Sequence, residues 1–466
     1  MGTSATPFRI PLGLRSYERN KQNRNVPVIW DSATAVNPHW LIVGSSGTGK
    51  TFTIRRLVQS MVDQHAKDTS RAPFRIHVFD VHGDILLDAR GLSAFPTASV
   101  VQFSESTQFG LNPLDVDPDP HFGGVRRRIQ GLLGAINHTS RQLGSKQEAV
   151  LRAILLDLYA ANGYHENNPA SWRSEGDNRG YPKKSPTLVD ALRFAAAKHK
   201  AMYLGTNSKA IACLDAVNKR AAALHSKARL LAKVTMAGDT DRAEKVDEEL
   251  EKLIDGAQCA YEQALRAIRT GHEMDDAIRY DSRDVLKSIV ERLENLSGTG
   301  IFRATPPPFG AAASLWGYDI RALPEDEKKL FVRFRIEQIF QRARQRGQQS
   351  RITEVLVVDE AHLFFDDDAS NPLNVLALEG RKFGISLMCA SQAPQHFSDD
   401  FLSNTATKLL MGLDEMFWDG ACRKLKIEPD RLRWIKPAKT MAASIKVRGD
   451  LSSAFVNVDV DPGALL

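Results

Sequence analysis

The sequence has few cysteines and no long apolar run. Its four cysteines lie far apart and form no Cys-x-x-Cys pair; they are Cys213, Cys259, Cys389 and Cys422. This pattern excludes a disulfide scaffold and a zinc ribbon, and it fits a reducing compartment. No apolar stretch approaches the roughly 18 residues that a membrane span needs, and the first residues contain no apolar signal core. We therefore expect a soluble, cytoplasmic protein without membrane insertion.

A large excess of one charge is also missing. The 466 residues include 62 Lys and Arg against 56 Asp and Glu, a formal net charge of +6. This balance permits a phosphate-rich partner and does not require one. Glycine and proline, at 31 and 21 residues, are too few for a collagen-like or low-complexity chain. With 42% hydrophobic residues the chain can bury the core of one large domain or of two or three smaller ones.

Short apolar runs that stop at polar residues or glycine are the main secondary-structure signal. Such runs are typical of buried parallel strands, and the sequence between them is largely helical in pattern, including a helix from Glu325 to about Arg346. The predicted strands are Trp40–Val43, Ile76–Phe79, Ala313–Tyr318, Val355–Val358, Ile385–Ala390 and Leu409–Leu413, followed by a final pair at Met441–Val447 and Ala454–Val460. The pattern predicts an α/β fold with helices on a mostly parallel sheet.

A long strand-poor region interrupts this pattern. Two heptad seams, one from Leu214 to Leu231 and one from Ala243 to Ala264, flank the turn signal Gly238-Asp239-Thr240. One arm is basic and the other acidic, so the seams predict an antiparallel coiled-coil hairpin. The charges serve either the pairing of the two arms or a lever that docks a partner or DNA. We expect an N-terminal arm at 1–26, a core at 27–136 and 301–466, and a helical insertion at 137–300.

The strongest chemical motif follows the predicted strand Trp40–Val43. Here Gly-x-x-x-x-Gly-Lys-Thr opens a helical pattern, which is the P-loop arrangement. The glycines let backbone N–H groups point at phosphate oxygens, and the helix N-terminus adds partial positive charge. Lys50 can reach the β- and γ-phosphates, and the Thr51 hydroxyl can bind Mg²⁺. The predicted nucleotide-binding residues are Gly44, Ser45, Ser46, Gly47, Thr48, Gly49, Lys50, Thr51 and Phe52.

Two adjacent carboxylates follow another predicted strand, Val355–Val358. The carboxyl ends of strands in open α/β sheets are where ligands bind, and Asp359 and Glu360 stand at such an end. Two acids beside apolar walls are costly to bury unless a cation balances them. We expect Asp359 to hold Mg²⁺ and Glu360 to activate the attacking water.

Two further residues have the chemistry that phosphoryl transfer requires. Gln392 follows the predicted strand Ile385–Ala390, where an amide can contact both the γ-phosphate and the water. Arg381 comes just before that strand, and a guanidinium can stabilise charge on the transferred phosphoryl group. Read as structural residues alone, Gln392 caps a strand end and Arg381 belongs to a solvated turn.

Other motifs point to no second chemistry. Asp80 ends a predicted strand and could face the nucleotide pocket, while a metal site with His82 lacks a recognisable third ligand. The Ser-Ala-Thr and Gln-x-x-Gly-Arg-x-Gly-Arg elements of superfamily-2 helicases are missing, as is the Asn-Lys-x-Asp of GTPases. Leu296-Ser297-Gly298-Thr299-Gly300 lies about 60 residues before the acids, too far away for the signature of transporter-type ATPases.

The motif set resembles the FtsK–HerA superfamily of ring-forming DNA motor ATPases. The resemblance covers roughly residues 27–135 and 300–460, and the helical stretch between them resembles the insert of HerA helicases and VirB-type conjugation ATPases. The matching segments are Asn37-Pro38-His39-Trp40, Phe79-Asp80-Val81-His82-Gly83-Asp84, Gly110-Leu111-Asn112-Pro113-Leu114-Asp115, Asp359-Glu360-Ala361-His362, Glu379-Gly380-Arg381-Lys382-Phe383-Gly384 and Ala390-Ser391-Gln392. HerA proteins usually carry a small β-barrel before the P-loop strand, and we expect none here.

The resemblance implies a RecA-like core assembled as a homo-hexamer, with ATP at subunit interfaces and double-stranded DNA in a central channel. It implies that Lys50 and Thr51 bind nucleotide and Mg²⁺, that Asp359 and Glu360 carry hydrolysis, that Gln392 is the sensor and that Arg381 is a finger acting on a neighbour. A nuclease or another effector protein is a further candidate partner. The alternative is an ATP-switched scaffold in a multi-protein complex, such as an anti-phage defence system, with little DNA translocation.

Overall fold

The computed structural model describes residues 7–68, 73–139, 142–173, 183–205, 209–236, 240–267, 279–280, 282–450 and 452–460. The chain divides into two compact units. The first comprises Met1–Pro113 and Thr299–Leu466, and the second comprises Leu114–Gly298. In these described residues no helix has the length and apolar character needed to cross a bilayer.

The first unit contains one sheet, to which the described residues contribute eleven strands. Its order across the sheet is β2-β1-β11-β10-β9-β3-β8-β7-β4-β6-β5. The strands are β1 Arg9–Arg15, β2 Pro27–Asp31, β3 Trp40–Val43, β4 Arg75–Asp80, β5 Ser99–Gln102, β6 Leu315–Asp319, β7 Glu354–Val358, β8 Ile385–Ser391, β9 Thr407–Leu410, β10 Thr440–Ile445 and β11 Val456–Asp459.

The middle of the sheet is parallel, and one side is antiparallel. Parallel pairing runs from β9 through β3, β8, β7, β4 and β6 to β5. The strands β10, β11, β1 and β2 continue the sheet in antiparallel pairs. Every residue of β3, β7 and β8 is buried, which is why these strands are continuous apolar runs and not alternating ones. The predicted α/β class and the eight predicted strands are confirmed, with ends shifted by a few residues.

The predicted N-terminal arm at 1–26 is wrong for its described residues, because β1 and the whole helix Ser16–Gln22 fall inside it. β1 lies between β2 and β11, and its register shifts between Pro11 and Gly13. Proline lacks the backbone N–H that a strand donates to its neighbour, so Pro11 argues against a strand when the sequence alone is read. In the structure Pro11 is accommodated because it lies at this irregularity. Gly13 has φ +145, and a Cβ there would lie 2.2 Å from the Asp459 carbonyl oxygen. Only glycine fits that approach.

Helices fill both units. The predicted helix from Glu325 to Arg346 is confirmed at both ends. The α-helices of the described residues are α1 Ser16–Gln22, α2 Lys50–Lys67, α3 Ala89–Ala94, α4 Val125–Asn137, α5 Ser145–Ala161, α6 Leu188–Gly205, α7 Lys209–Met236, α8 Thr240–Ala267, α9 Arg283–Gly298, α10 Glu325–Arg346, α11 Pro372–Glu379, α12 Asp399–Ser403, α13 Trp418–Leu425 and α14 Pro429–Arg433.

The second unit is helical and begins at Leu114, earlier than the predicted insertion boundary at residue 137, so that α4 belongs to it. Its helices α7 and α8 form the predicted antiparallel hairpin. Arg220 Nη1 donates to the Gly256 carbonyl at 2.7 Å, and Lys227 pairs with Glu249. Lys227 lies seven residues after Arg220 on α7, and its partner Glu249 lies seven residues before Gly256 on α8. This is the register of antiparallel helices. Gly238 and Asp239 of the predicted turn lie outside the described residues.

Candidate nucleotide-binding site

The loop between β3 and α2 is shaped by its glycines. Gly47 and Gly49 have φ of +74 and +101, a backbone region that side chains rarely adopt. At Gly44 an added Cβ would lie 2.5 Å from Thr48 Oγ1. A side chain at Gly47 or Gly49 would strain the backbone, and one at Gly44 would displace the Thr48 side chain, so local conformation favours the P-loop pattern.

Segments distant in sequence hold this loop in shape. Ser45 N donates to the Gly412 carbonyl at 2.8 Å, and Ser45 Oγ accepts from Asp414 N at 2.9 Å. On the other side of the loop, Ala438 N donates to the Thr48 carbonyl at 3.1 Å. The loop is therefore fixed from the segment after β9 and from the segment before β10, and its amide groups do not need to be ordered by a ligand.

Lys50 begins α2, with its ammonium folded over the loop. Its Nζ donates to the Gly44 carbonyl at 2.6 Å and to the Ser45 carbonyl at 3.3 Å. Thr51 is half-buried and Phe52 is 47% exposed in the same first turn of the helix. The ammonium, the helix N-terminus and the loop amides therefore concentrate positive charge around one concave surface.

Asp359 and Glu360 stand at the end of β7, and each is 8% exposed. Burial, and after it the negative charges of Glu360 and Asp80, raise the pKa of Asp359 to about 7. In the described part of the chain Asp359 forms no ion pair with Lys or Arg. Such a carboxylate is a ready ligand for a hard divalent cation, because the cation would supply the missing compensation.

Strand pairing brings Gln392 to the same edge. Val43 is in register with Ser391, and Val358 is in register with Cys389, so β3, β8 and β7 end side by side. Gln392 Nε2 donates to Glu360 Oε2 at 3.4 Å. Glu360 itself has φ 43 and ψ 46, a left-handed conformation that turns its side chain away from the strand direction.

Arg381 is not part of this constellation within one chain. It is exposed and lies in a short helix, Gly380–Phe383, before β8, whereas Gln392 follows β8. The seven residues of β8 span roughly 20 Å at about 3.3 Å per residue. At its own edge Arg381 acts on His39, whose pKa is lowered to about 3 by burial and then by the Arg381 charge. Arg381 therefore cannot act on the nucleotide site of its own chain.

Asp80 stabilises the loop that follows β4. Its carboxylate accepts from the backbone N–H groups of Gly83, Ile85 and Leu86 at 2.8, 3.1 and 2.9 Å. Its charge still reaches Asp359, as the raised pKa of that residue records. His82 is exposed, and no cluster of three or more metal-ligating side chains occurs among the residues that the structure describes.

Two histidines of the site received no role from the sequence. His362 Nδ1 lies 3.3 Å from Glu360 Oε2, and the rings of His362 and His396 are 4.7 Å apart. His362 belongs to the quoted Asp-Glu-Ala-His motif, so its closeness to Glu360 had a local signal. His396 had none, because it reaches the site only through the turn after β8.

Comparison with known proteins supports this assignment of the nucleotide-binding core. A family model described as "Helicase HerA, central domain" matches residues 19–120, which include the P-loop. The probable DNA double-strand break repair helicase HerA of Methanocaldococcus jannaschii is 32% identical over 116 residues, which is 24% of this chain and 20% of that protein. The corresponding HerA of Pyrococcus furiosus is 38% identical over 61 residues, 12% and 11% of the two chains.

The chain thus spans about a fifth or less of the length of these curated relatives. Among solved structures, VirB4 of Thermoanaerobacter pseudethanolicus aligns over 98% of both chains, with a TM-score of 0.56 and 17% identity. This similarity confirms the predicted fold, and the sequence matches confirm the predicted resemblance. Residues 19–120 are therefore similar in sequence to the central domain of HerA helicases, and the fold of the chain is similar to that of VirB4.

Proposed function

We propose that this protein is an ATP-hydrolysing, ring-forming DNA translocase of the HerA type. The observation that carries the proposal is the convergence of the P-loop, the Asp359–Glu360 pair and Gln392 at the ends of three neighbouring parallel strands. Nucleotide-binding loop, metal ligand, base and sensor are the parts that phosphoryl transfer needs, since catalysis there is positioning plus electrostatic stabilisation.

ATP is bound by the residues from Gly44 to Phe52. The N–H groups of the loop face the phosphate oxygens, and Lys50 moves from the loop carbonyls onto the β- and γ-phosphates. The donor set of the Thr51 hydroxyl and the Asp359 carboxylate fits Mg²⁺, which prefers few protein oxygens and completes its shell with water and phosphate. When bound, Mg²⁺ supplies charge neutralisation of the phosphate oxygens.

Glu360 is the general base and Gln392 the sensor of this site. The Glu360 carboxylate takes a proton from the water that attacks the γ-phosphate, and its small exposed fraction keeps competing solvent away. Gln392, within 3.4 Å of Glu360, donates its amide N–H to the base and can turn toward the phosphate.

The exposed position of Arg381 at the far edge of the sheet supports a role on the site of a neighbouring subunit. Such a role requires a closed ring, and we propose a homo-hexamer. Arg381→Ala is expected to leave nucleotide affinity unchanged and to impair hydrolysis in the ring. The adjacent, equally exposed Lys382→Ala is the matched control, and mixing Arg381→Ala with Glu360→Gln subunits is expected to restore activity at interfaces that combine an intact base with an intact finger. Mixed rings that stay inactive contradict the assignment to the neighbour.

We propose that double-stranded DNA is what the protein translocates, and the similarity to the HerA DNA repair helicases supports this choice. The test is phosphate release from ATP with and without duplex DNA, with Lys50→Ala as the inactive control. Stimulation of several-fold by DNA is expected. A rate indifferent to DNA but raised by a protein partner would instead favour the ATP-switched scaffold, in a defence system or elsewhere. The cytoplasmic location and a nuclease or effector partner stay predictions from the sequence.

A further inference from the structure

Two histidines lie between the predicted base and the end of β8. His362 is in the short helix Ala361–Leu363 directly after Glu360, and His396 is in the short helix Pro394–His396 after β8. Both are partly buried. The proposed chemistry of ATP hydrolysis uses neither residue, although both lie at its centre.

The contacts form a chain from the base to a buried strand residue. Glu360 Oε2 lies 3.3 Å from His362 Nδ1. The His362 and His396 rings are 4.7 Å apart with an interplanar angle of 31°, so one ring packs on the other. His396 Nδ1 shares a hydrogen bond of 2.8 Å with Ser391 Oγ, and Ser391 is completely buried. The rigid sheet thus fixes the second ring, which packs against the first.

The electrostatics keep both rings neutral near neutral pH. Burial lowers the pKa of His362, and the Lys50 charge lowers it further against the opposing effect of Glu360. Burial also lowers the pKa of His396, followed by the influence of His362, again against Glu360. Among the described residues, His362 Nδ1 is a buried nitrogen without a hydrogen-bond partner, and its 3.3 Å approach to Glu360 Oε2 is a close polar contact.

Both contacts fall on one oxygen of the base. In the described part of the chain, His362 and Gln392 each approach Glu360 at Oε2. This leaves Oε1 as the oxygen that can accept the proton of water. Glu360 also has left-handed backbone angles, which cost about 1 kcal/mol or more and persist only where the surrounding structure holds them.

We propose that His362, packed against His396, which Ser391 anchors, is a positioning residue that orients Glu360 so that Oε1 faces the attacking water. This inference rests on the proposed ATP hydrolysis and names a residue that acts on its base. A displacement of about 1 Å in a catalytic group can cost about 10²-fold in rate, which sets the size of the expected effect.

The test measures kcat and KM for ATP, nucleotide affinity and melting temperature in variants of His362. His362→Phe keeps an aromatic ring for packing and removes the nitrogen, and we expect kcat to fall about 10- to 100-fold with KM and melting temperature unchanged. His362→Asn keeps a nitrogen donor near the position of Nδ1 and is expected to retain most of the activity. His396→Phe should give a smaller loss, and His121→Phe, at an exposed loop position, should give none.

A double-mutant cycle separates positioning from a general structural effect. In a Glu360→Gln background, His362→Phe should cause no further loss in single-turnover hydrolysis, because it acts through Glu360. An unchanged kcat in His362→Phe, or the same fold loss in both backgrounds, overturns the inference while leaving the proposed function intact. Wild-type protein that hydrolyses no ATP overturns the proposed function, and the inference falls with it.

Discussion

The two ends of β7 carry buried acids with opposite behaviour. Glu354 begins the strand and is 7% exposed, while Asp359 and Glu360 follow its last residue and are each 8% exposed. The acids at the two ends are therefore buried to about the same extent, and burial alone does not explain a difference between their pKa values. The pKa of Glu354 is nevertheless lowered, and that of Asp359 is raised to about 7.

The difference comes from what surrounds each acid. At the start of β7, burial raises the pKa of Glu354, but the His77 hydrogen bond and the Arg346 charge outweigh it. Burial lowers the pKa of His77 to about 4, so His77 is neutral at pH 7, and the cation that pairs directly with Glu354 is Arg346. At the other end, the negative charges of Glu360 and Asp80 add to the effect of burial on Asp359, and the opposing effects of a backbone hydrogen bond and of His82 do not outweigh them. Glu354, the structural acid, is thus compensated by partners within the protein, whereas Asp359, the acid of the candidate site, is available to a cationic ligand.

The largest effect is expected at the site end, from Glu360→Gln. The amide keeps the size of the side chain but cannot take a proton, so hydrolysis should fall by about 10²- to 10⁴-fold. Because the loop and Lys50 are unchanged, ATP should still bind. Phosphate release and calorimetric titration with ATP check both parts, and unchanged turnover would remove Glu360 as the base.

The next effect is expected at the structural end, from Glu354→Ala. Removing this acid leaves Arg346 and His77 without their shared partner, which should lower the free energy of unfolding by about 3–5 kcal/mol. Chemical denaturation measures the loss. Glu354→Gln keeps a hydrogen-bond acceptor for His77 and should cost less. If the two variants are equally stable, the comparison of the strand ends fails.

Asp359→Asn is expected to raise the free energy of unfolding at high pH, whereas Glu354→Ala lowers it. The folded-state pKa of about 7 exceeds the ordinary value of 3.8, so the stability contributed by the protonated acid is full below about pH 4 and is lost as pH rises through 7. Without Mg²⁺, the variant should therefore be more stable than wild type at pH 8, by at most about 4 kcal/mol. The gap should close near pH 4. A variant less stable than wild type at pH 8 would contradict the raised pKa.

The smallest effect is expected from Arg346→Met. Its side chain is 34% exposed, so water replaces part of the lost interaction and the cost at pH 7 should be about 1 kcal/mol. The lowered pKa of Glu354 predicts that this cost shrinks as pH falls and the acid is protonated. Denaturation midpoints at pH 7 and pH 4 test this, and a cost that grows toward low pH would be the wrong sign.

The sequence predicted the elements whose signal is local. β3 and α10 are where the apolar run and the helical period predicted them. β1 was missed because Pro11 and Gly13 break the strand pattern, and their irregularity is accommodated only in the presence of β2 and β11. The boundary of the helical unit at Leu114 was also missed, since it depends on packing between residues distant in sequence.

At the candidate site, motif spacing predicted which residues belong to the nucleotide pocket, and it did so because a P-loop is enforced by the conformations open to its own glycines. Only the tertiary structure decided their neighbours. β3 and β8 are more than three hundred residues apart and adjacent in the sheet. That pairing brings Gln392 to the P-loop, and the pairing of β8 with β7 brings Gln392 and His396 to Glu360 and leaves Arg381 at the opposite edge. Strand order and direction, and not sequence distance, determine which side chains meet.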